Sequence, residues 1–136
     1  MATASATIEV PASADQVWQL IGGFNSLPDW IPFIPKSELS EGGRVRRLET
    51  SDGTVVVERL QVFDNAAKTY SYSFVHSPFP VTDYLATIKV EALGERARVT
   101  WSGRFEPVGV SDGEVEALFA GVYQGGIEAL RAKYPA

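Results

Sequence analysis

Few residues in this sequence could carry chemistry, and their types narrow it quickly. In 136 residues there is one histidine and no cysteine. That excludes a disulfide, a thiolate nucleophile, a Cys-based metal site and a multi-His centre, so no metal and no cofactor are expected. No Ser-His-Asp signature, phosphate-binding loop or dinucleotide fingerprint is present, and the Gly-Gly and Asp-Gly pairs read as turns. Glu58 is the most informative charge. Its same-side neighbours in a strand-like run are Val56, Leu60 and Val62. A carboxylate in an apolar row is costly unless it is paired or solvated. Either the row faces water at an edge, or Glu58 sits in a pocket with a raised pKa or an arginine partner. Arg46 shares parity with Leu48 on the preceding strand and is the expected partner, whereas Arg59 must point the other way, into solvent. His76 shares parity with Tyr70, Tyr72 and Phe74 and abuts a Ser77-Pro-Phe-Pro80 turn. It is either an exposed loop histidine or an acid, base or donor at a pocket mouth.

The aromatic residues extend this picture. Tyr70, Tyr72, Phe74, Tyr84, Trp101, Phe105, Phe119 and Tyr123 would make a very aromatic interior. Buried phenol and indole groups need partners, which a cavity holding water or a polar-tipped ligand supplies. Gly103, between Trp101 and Phe105, and Gly126, on the apolar face of a helix, both remove volume. They indicate a pocket or, equally, close backbone packing.

The elements that must position these residues are legible from periodicity and punctuation. A long helix is expected from Ser111 to Tyr134, opened by the Ser111/Glu114 capping box. Its apolar arc of Val115, Leu118, Phe119, Val122, Tyr123, Gly126, Ile127 and Leu130 is wider than an ordinary surface helix needs. That width suggests a sheet curled around it or a cavity under one flank. Within the arc, Phe119, Tyr123, Ile127 and Leu130 are expected to face the cavity, and Val115, Leu118 and Val122 the sheet edge and the short helices. Residues 3–10 alternate as a strand, and Ser13 with Gln16 caps a short helix stopped by Gly22-Gly23. A helical turn is expected at Ser26 to Trp30, before Pro32 and Pro35 forbid continuation. Beyond Lys36, period-2 patterns separated by tight turns predict an antiparallel meander of about six strands.

Length and composition set the outer bounds. One domain spanning residues 1–136 is expected. The chain is 45% hydrophobic and 21% charged, ordinary for a globular protein with a real core. Twelve Lys+Arg against 17 Asp+Glu give a net charge of -5, which argues against nucleic-acid partners. No apolar run approaches the ~20 residues of a membrane span, and the N-terminus lacks the pattern of a signal peptide. A cytoplasmic monomer or homodimer without a membrane partner is expected.

At this point the chain resembles the START-like, Bet v 1-like superfamily, and within it the polyketide cyclase/dehydrase and lipid transport group. The resemblance covers nearly the whole sequence. It is carried by Pro11-Ala-Ser-Ala-Asp-Gln-Val-Trp18, Gly23-Phe-Asn-Ser-Leu-Pro-Asp-Trp30, Val57-Glu-Arg-Leu60, Pro78-Phe-Pro-Val-Thr-Asp-Tyr84 and Val99-Thr-Trp-Ser-Gly-Arg-Phe105. It implies an α+β helix-grip fold: a curved antiparallel sheet of about seven strands around the C-terminal helix, two short helices after the first strand, and a hydrophobic cavity between sheet and helix. The plant abscisic-acid receptors look like distant relatives, and their pocket positions match Glu58, Tyr84 and Phe119. The chain lacks their Ser-Gly-Leu-Pro-Ala gate and His-Arg-Leu latch, so a hormone-receptor role is rejected. Where close relatives often carry Trp-His-Pro, it has Trp30-Ile31-Pro32.

Three functions follow as expectations. The first is binding of a small hydrophobic, aromatic or polyketide/lipid-like ligand by Trp30, Arg46, Glu58, Tyr72, Phe74, Tyr84, Trp101, Phe105, Phe119, Tyr123 and Ile127. The second is a cofactor-free cyclase, aromatase or dehydratase, with Glu58 and Tyr72, Tyr84 or His76 moving protons. The third is a client-binding module with an exposed apolar mouth around Trp30 and Phe79.

Overall fold

The structure is a computed structural model that describes residues 2–134. Strand β1 (Ala2–Val10) leads through helix α1 (Ala14–Ile21) and the short α2 (Leu27–Trp30) into a meander. Its strands are β2 (Lys36–Ser40), β3 (Val45–Glu49), β4 (Val55–Asp64), β5 (Thr69–His76), β6 (Val81–Leu93) and β7 (Arg96–Pro107), and α3 (Asp112–Lys133) follows. The sheet has seven strands in the order β1-β7-β6-β5-β4-β3-β2, every pair antiparallel. Helices α1 and α2 carry the chain from one edge of the sheet to the other. This is the helix-grip arrangement expected from the sequence.

Local sequence explains where the elements begin. The Gln16 amide donates to Ser13 Oγ at 3.2 Å while the Ser13 amide donates to Gln16 Oε1 at 3.1 Å, closing the capping box of α1. The Glu114 amide donates to Ser111 Oγ at 3.2 Å and starts α3. The β3–β4 hairpin turns at Gly53, whose φ of 88° favours glycine.

Three bulges bend the sheet. One inserts Val75 in β5 opposite Val57/Glu58, one inserts Gln61 in β4, and one lies between Thr82 and Leu85 in β6. Each resets the alternation of its strand, and this corrects the expectations for Val62 and His76. Val62 does not continue the row of Val56, Glu58 and Leu60: it is exposed, and Phe63 turns back toward the Trp18 ring at 5.8 Å. Thr82 is exposed, although Tyr84, Ala86, Ile88 and Val90 below the bulge are buried. His76 leaves the aromatic row and pairs with outward-facing Val57.

Helix α3 buries Val115, Phe119, Tyr123, Gly126, Ile127 and Leu130 against the sheet, with Phe119 4.6 Å from the Phe105 ring and Tyr123 5.0 Å from Trp101. Leu118 is exposed rather than packed on the sheet edge. The two inward glycines leave no space. A Cβ at Gly103 would lie 2.1 Å from Tyr123 Oη, and one at Gly126 would lie 2.4 Å from Trp101 Cζ3. Both positions are close-packing sites, the second of the two readings left open by the sequence. Gly121, also on α3, meets nothing within 4 Å. Gly121→Ala should therefore stabilise the protein by up to ~1 kcal/mol through helix propensity alone, as an increase in the midpoint of urea unfolding. An unchanged or lower midpoint would contradict it.

Candidate functional site

The site is built outward from one charge pair. Arg46 and Glu58 lie directly opposite on β3 and β4, and Glu58 in turn faces Phe74 on β5. Arg46 is fully buried and Glu58 is 5% exposed. Arg46 Nε donates to Glu58 Oε1 at 2.8 Å, and Nη2 approaches the same oxygen at 2.7 Å as an ion-pair contact without an aligned hydrogen bond. Nη1 donates to the Phe24 carbonyl at 2.8 Å and to Tyr70 Oη at 3.3 Å. The guanidinium carbon sits 4.2 Å from the Phe24 ring, 4.7 Å from Tyr72 and 5.6 Å from Tyr70. Three ring faces therefore replace water around the cation.

Both Arg46 contacts to the carboxylate fall on Oε1. Among the described residues, no hydrogen bond falls on Glu58 Oε2. Burial pushes the Glu58 carboxyl above its ordinary pKa, and the opposing pull of Arg46 does not cancel this. Burial also works against the Arg46 charge, but Tyr70, Glu58 and Tyr72 together hold its pKa above the usual value. Burial first, then the nearby Glu58 charge, raises Tyr72 well above the ordinary phenol range.

Next to this pair lies a cavity of about 160 Å³. Its walls come from every layer of the fold. Leu48 and Val56 belong to β3 and β4. Glu58, Tyr72, Phe74, Tyr84 and Trp101 come from β4 to β7, and Phe119 and Val122 come from α3. Leu27, Phe33, Ile34 and Thr50 close it from α2 and the loops, and Phe79 closes it from the β5–β6 turn. The rings are packed face to face and edge to face. Phe74 stacks on Tyr84 at 3.8 Å and 8°, and Phe79 meets Phe119 at 5.3 Å and 71°.

The structure thus brings Glu58, Tyr72, Phe74, Tyr84, Trp101 and Phe119 together around the cavity and sets the other nominated residues elsewhere. Arg46 stands behind Glu58, outside the lining. Phe105, Tyr123 and Ile127 are fully buried in the core. Trp30 is 1% exposed against Trp101 at 6.0 Å, with its indole N–H unpartnered. It cannot supply the exposed mouth expected of it. His76 is exposed beside an outer groove with Ser77, Thr82 and Asp83, because the bulge at Val75 turns it away from the aromatic row. Helix α3 also presents a different side than expected. Val122, assigned to the sheet edge, lines the cavity with Phe119, while Tyr123, Ile127 and Leu130 are packed solid.

Sequence reasoning missed Leu27, Phe33, Ile34, Thr50 and Phe79 as lining because they lie in loops or the one-turn α2, where no periodicity assigns a face. The density of large apolar residues next to Pro28, Pro32, Pro35, Pro78 and Pro80 is the signal for all of them except Thr50, which carries none. It also expected the phenols to need a wet cavity. Instead they satisfy one another: Trp101 Nε1 donates to Tyr72 Oη at 2.9 Å, and the Tyr84 and Tyr123 hydroxyls share a 2.5 Å hydrogen bond.

Chemically, the site offers a carboxyl with one free oxygen, a neutral phenol beside it, and aromatic walls. No histidine, cysteine or lysine lines the cavity, the Thr50 hydroxyl in its wall is bonded within its own hairpin, and among the described residues no group of three His, Cys, Asp or Glu is placed to hold a metal.

Comparison with known proteins places this geometry. No protein with a curated description matches the chain. Among solved structures it is similar to the protein XoxI from Bacillus cereus, with 51% identity over 98% of this chain and 96% of that one, and a TM-score of 0.95. An uncharacterized protein from Bacillus thuringiensis is 50% identical over 97% of this chain and 98% of that one, with a TM-score of 0.94. The Zhui aromatase/cyclase from Streptomyces shares the fold, with 20% identity over 95% of this chain and 93% of that one at a TM-score of 0.73. The model of the polyketide cyclase/dehydrase and lipid transport family matches residues 1–135. The chain belongs to that family.

Proposed function

We propose that this protein binds a small, apolar, ring-containing molecule in the cavity between the sheet and α3. The observation that carries this reading is the cavity itself. About 160 Å³ of space remains among aromatic and aliphatic side chains with a buried carboxylate at its side. An apolar space of ~150 Å³ inside a protein stays dry and accommodates a benzene-sized molecule. Sites of this kind, apolar with one or two placed polar groups, are the usual form of small-molecule pockets.

Thermal shift and calorimetric titration against single-ring compounds test this, with Val122→Phe as the control. The larger side chain should fill the space and abolish binding, while costing no more than ~1–3 kcal/mol of stability. Binding that survives in Val122→Phe, or a wild type that no ring compound stabilises, would sink the reading.

A second reading, a cofactor-free cyclase, aromatase or dehydratase, is favoured by one observation: the raised, half-liganded Glu58 carboxyl stands beside the Tyr72 phenol. An acid–base pair of this kind contributes ~10²–10⁴-fold to a rate. It separates from simple binding if Glu58→Gln loses turnover while retaining affinity. The volume favours binding, because a chain long enough to be folded into several rings exceeds a one-ring cavity unless Phe79 moves outward.

A further inference from the structure

The polar groups around the cavity can be counted by what each has left to offer. The Thr50 hydroxyl donates to Asp52 and accepts from the Thr54 amide, so it belongs to its hairpin. The Tyr84 hydroxyl is joined to Tyr123, and the Trp101 N–H to Tyr72. Arg46 does not line the cavity: Nε and Nη1 donate to Glu58 Oε1, the Phe24 carbonyl and Tyr70, and Nη2, which makes no aligned hydrogen bond, lies against Glu58 Oε1 behind the carboxylate. What remains is Glu58 Oε2, an acceptor on a buried residue, the hydroxyl hydrogen of Tyr72, whose oxygen already accepts from Trp101, and the one hydroxyl hydrogen that the Tyr84–Tyr123 bond leaves over.

From this remainder we infer that the ligand of the cavity is an aromatic compound whose head group donates a hydrogen bond, a phenol or related hydroxyl compound, and not a carboxylic acid. This rests on the binding reading above and adds the polarity of the ligand to it. The head donates to Glu58 Oε2, and its own oxygen lies where Tyr72 can donate to it. An anionic head finds no cation in the lining, and it meets the Glu58 carboxyl group among apolar side chains that screen charge poorly. The ring of the ligand lies among Phe74, Phe79, Tyr84 and Phe119, which supply its apolar contacts.

Three probes of matched shape separate the possibilities: 4-ethylphenol, ethylbenzene and 4-ethylbenzoate, titrated calorimetrically at neutral pH. A hydrogen bond to a charged group should favour the phenol over the hydrocarbon by about tenfold or more, with the benzoate weakest. If none of the three binds, the cavity reading itself fails. If ethylbenzene binds as tightly as the phenol, the cavity reading stands and the head-group inference is overturned, as it is if the benzoate binds best.

Glu58→Gln supplies the reciprocal test. Its carbonyl must face the Arg46 donors, so its amide N–H₂ replaces Oε2 in the cavity. The variant should lose most of the phenol preference and take up 4-ethylbenzoate. A preference retained at tenfold would show that the carboxylate is not the acceptor. Should this variant fold poorly, Arg46→Met/Glu58→Leu provides the same information through the ratio of the two affinities, in which the advantage of the phenol over ethylbenzene should be gone. A phenol advantage that persists there overturns the inference equally.

Discussion

Replacing Arg46 with Ala should lower the free energy of unfolding by about 3–5 kcal/mol. The truncation leaves Glu58 with no opposing charge in a site where it is 5% exposed, and leaves the Phe24 carbonyl without its donor. It also removes the cation on which three aromatic faces are packed. The pair as a whole is a different matter, since two desolvated charges repay their burial only in part. Arg46→Met/Glu58→Leu should therefore unfold within about 1–2 kcal/mol of the wild type, or above it. Denaturant unfolding of Arg46→Met, Glu58→Leu and the double variant forms a complete cycle. A single Arg46→Ala costing under ~1 kcal/mol, or a double variant as unstable as the single, would show that the pair is neither dry nor coupled.

The same comparison has a pH dependence of fixed sign. Glu58 has a raised pKa in the folded state, so between its ordinary value, ~4.3, and that raised value the folded protein holds a proton that the unfolded chain has released. Stability from this group therefore rises as pH falls through the folded-state midpoint, and levels off below ~4.3. Measured from neutral pH downward, the wild type should gain on the Arg46→Met/Glu58→Leu variant. A gain in the opposite direction would mean that Arg46, not burial, dominates the carboxyl.

How much of this was legible in the sequence depends on whether a feature repeats. The strands, the capping box of α1, the Ser111 cap of α3 without its reciprocal Glu114 half, the long helix and the Arg46–Glu58 pairing all follow from parity or spacing, and parity holds wherever a strand is uninterrupted. It fails at single inserted residues. Gln61 and Val75 are ordinary strand residues, yet each flips every side chain beyond it, which is why Val62 and His76 were set on the wrong face. A bulge is stabilised by the bend of the whole sheet around α3, a tertiary cause that leaves no local mark. The cavity was legible in kind and not in position. An apolar arc on α3 is the same whether a residue meets a partner or an empty space, so Val122 and Tyr123 exchange roles without any change of pattern.

Gly103→Ala tests that last point, with an expected cost of about 2–4 kcal/mol. Its Cβ would lie 2.1 Å from Tyr123 Oη and 3.1 Å from Cζ, so the phenol must withdraw. Withdrawal is opposed on both sides. The hydroxyl is hydrogen-bonded to Tyr84 at 2.5 Å, and the ring is wedged 5.0 Å from Trp101 and 6.1 Å from Phe119. Had the glycine opened a pocket, adding a methyl group would fill it and be neutral or stabilising. Removing the obstructing oxygen should relieve most of the strain, so Gly103→Ala/Tyr123→Phe should be more stable than the sum of its singles by at least ~1 kcal/mol. Costs that add without coupling, or a neutral Gly103→Ala, would refute the close contact and return Gly103 to the cavity wall. The expected result instead makes Gly103 the notch that seats Tyr123, and through Tyr123 the Tyr84 ring that stacks on Phe74 in the site.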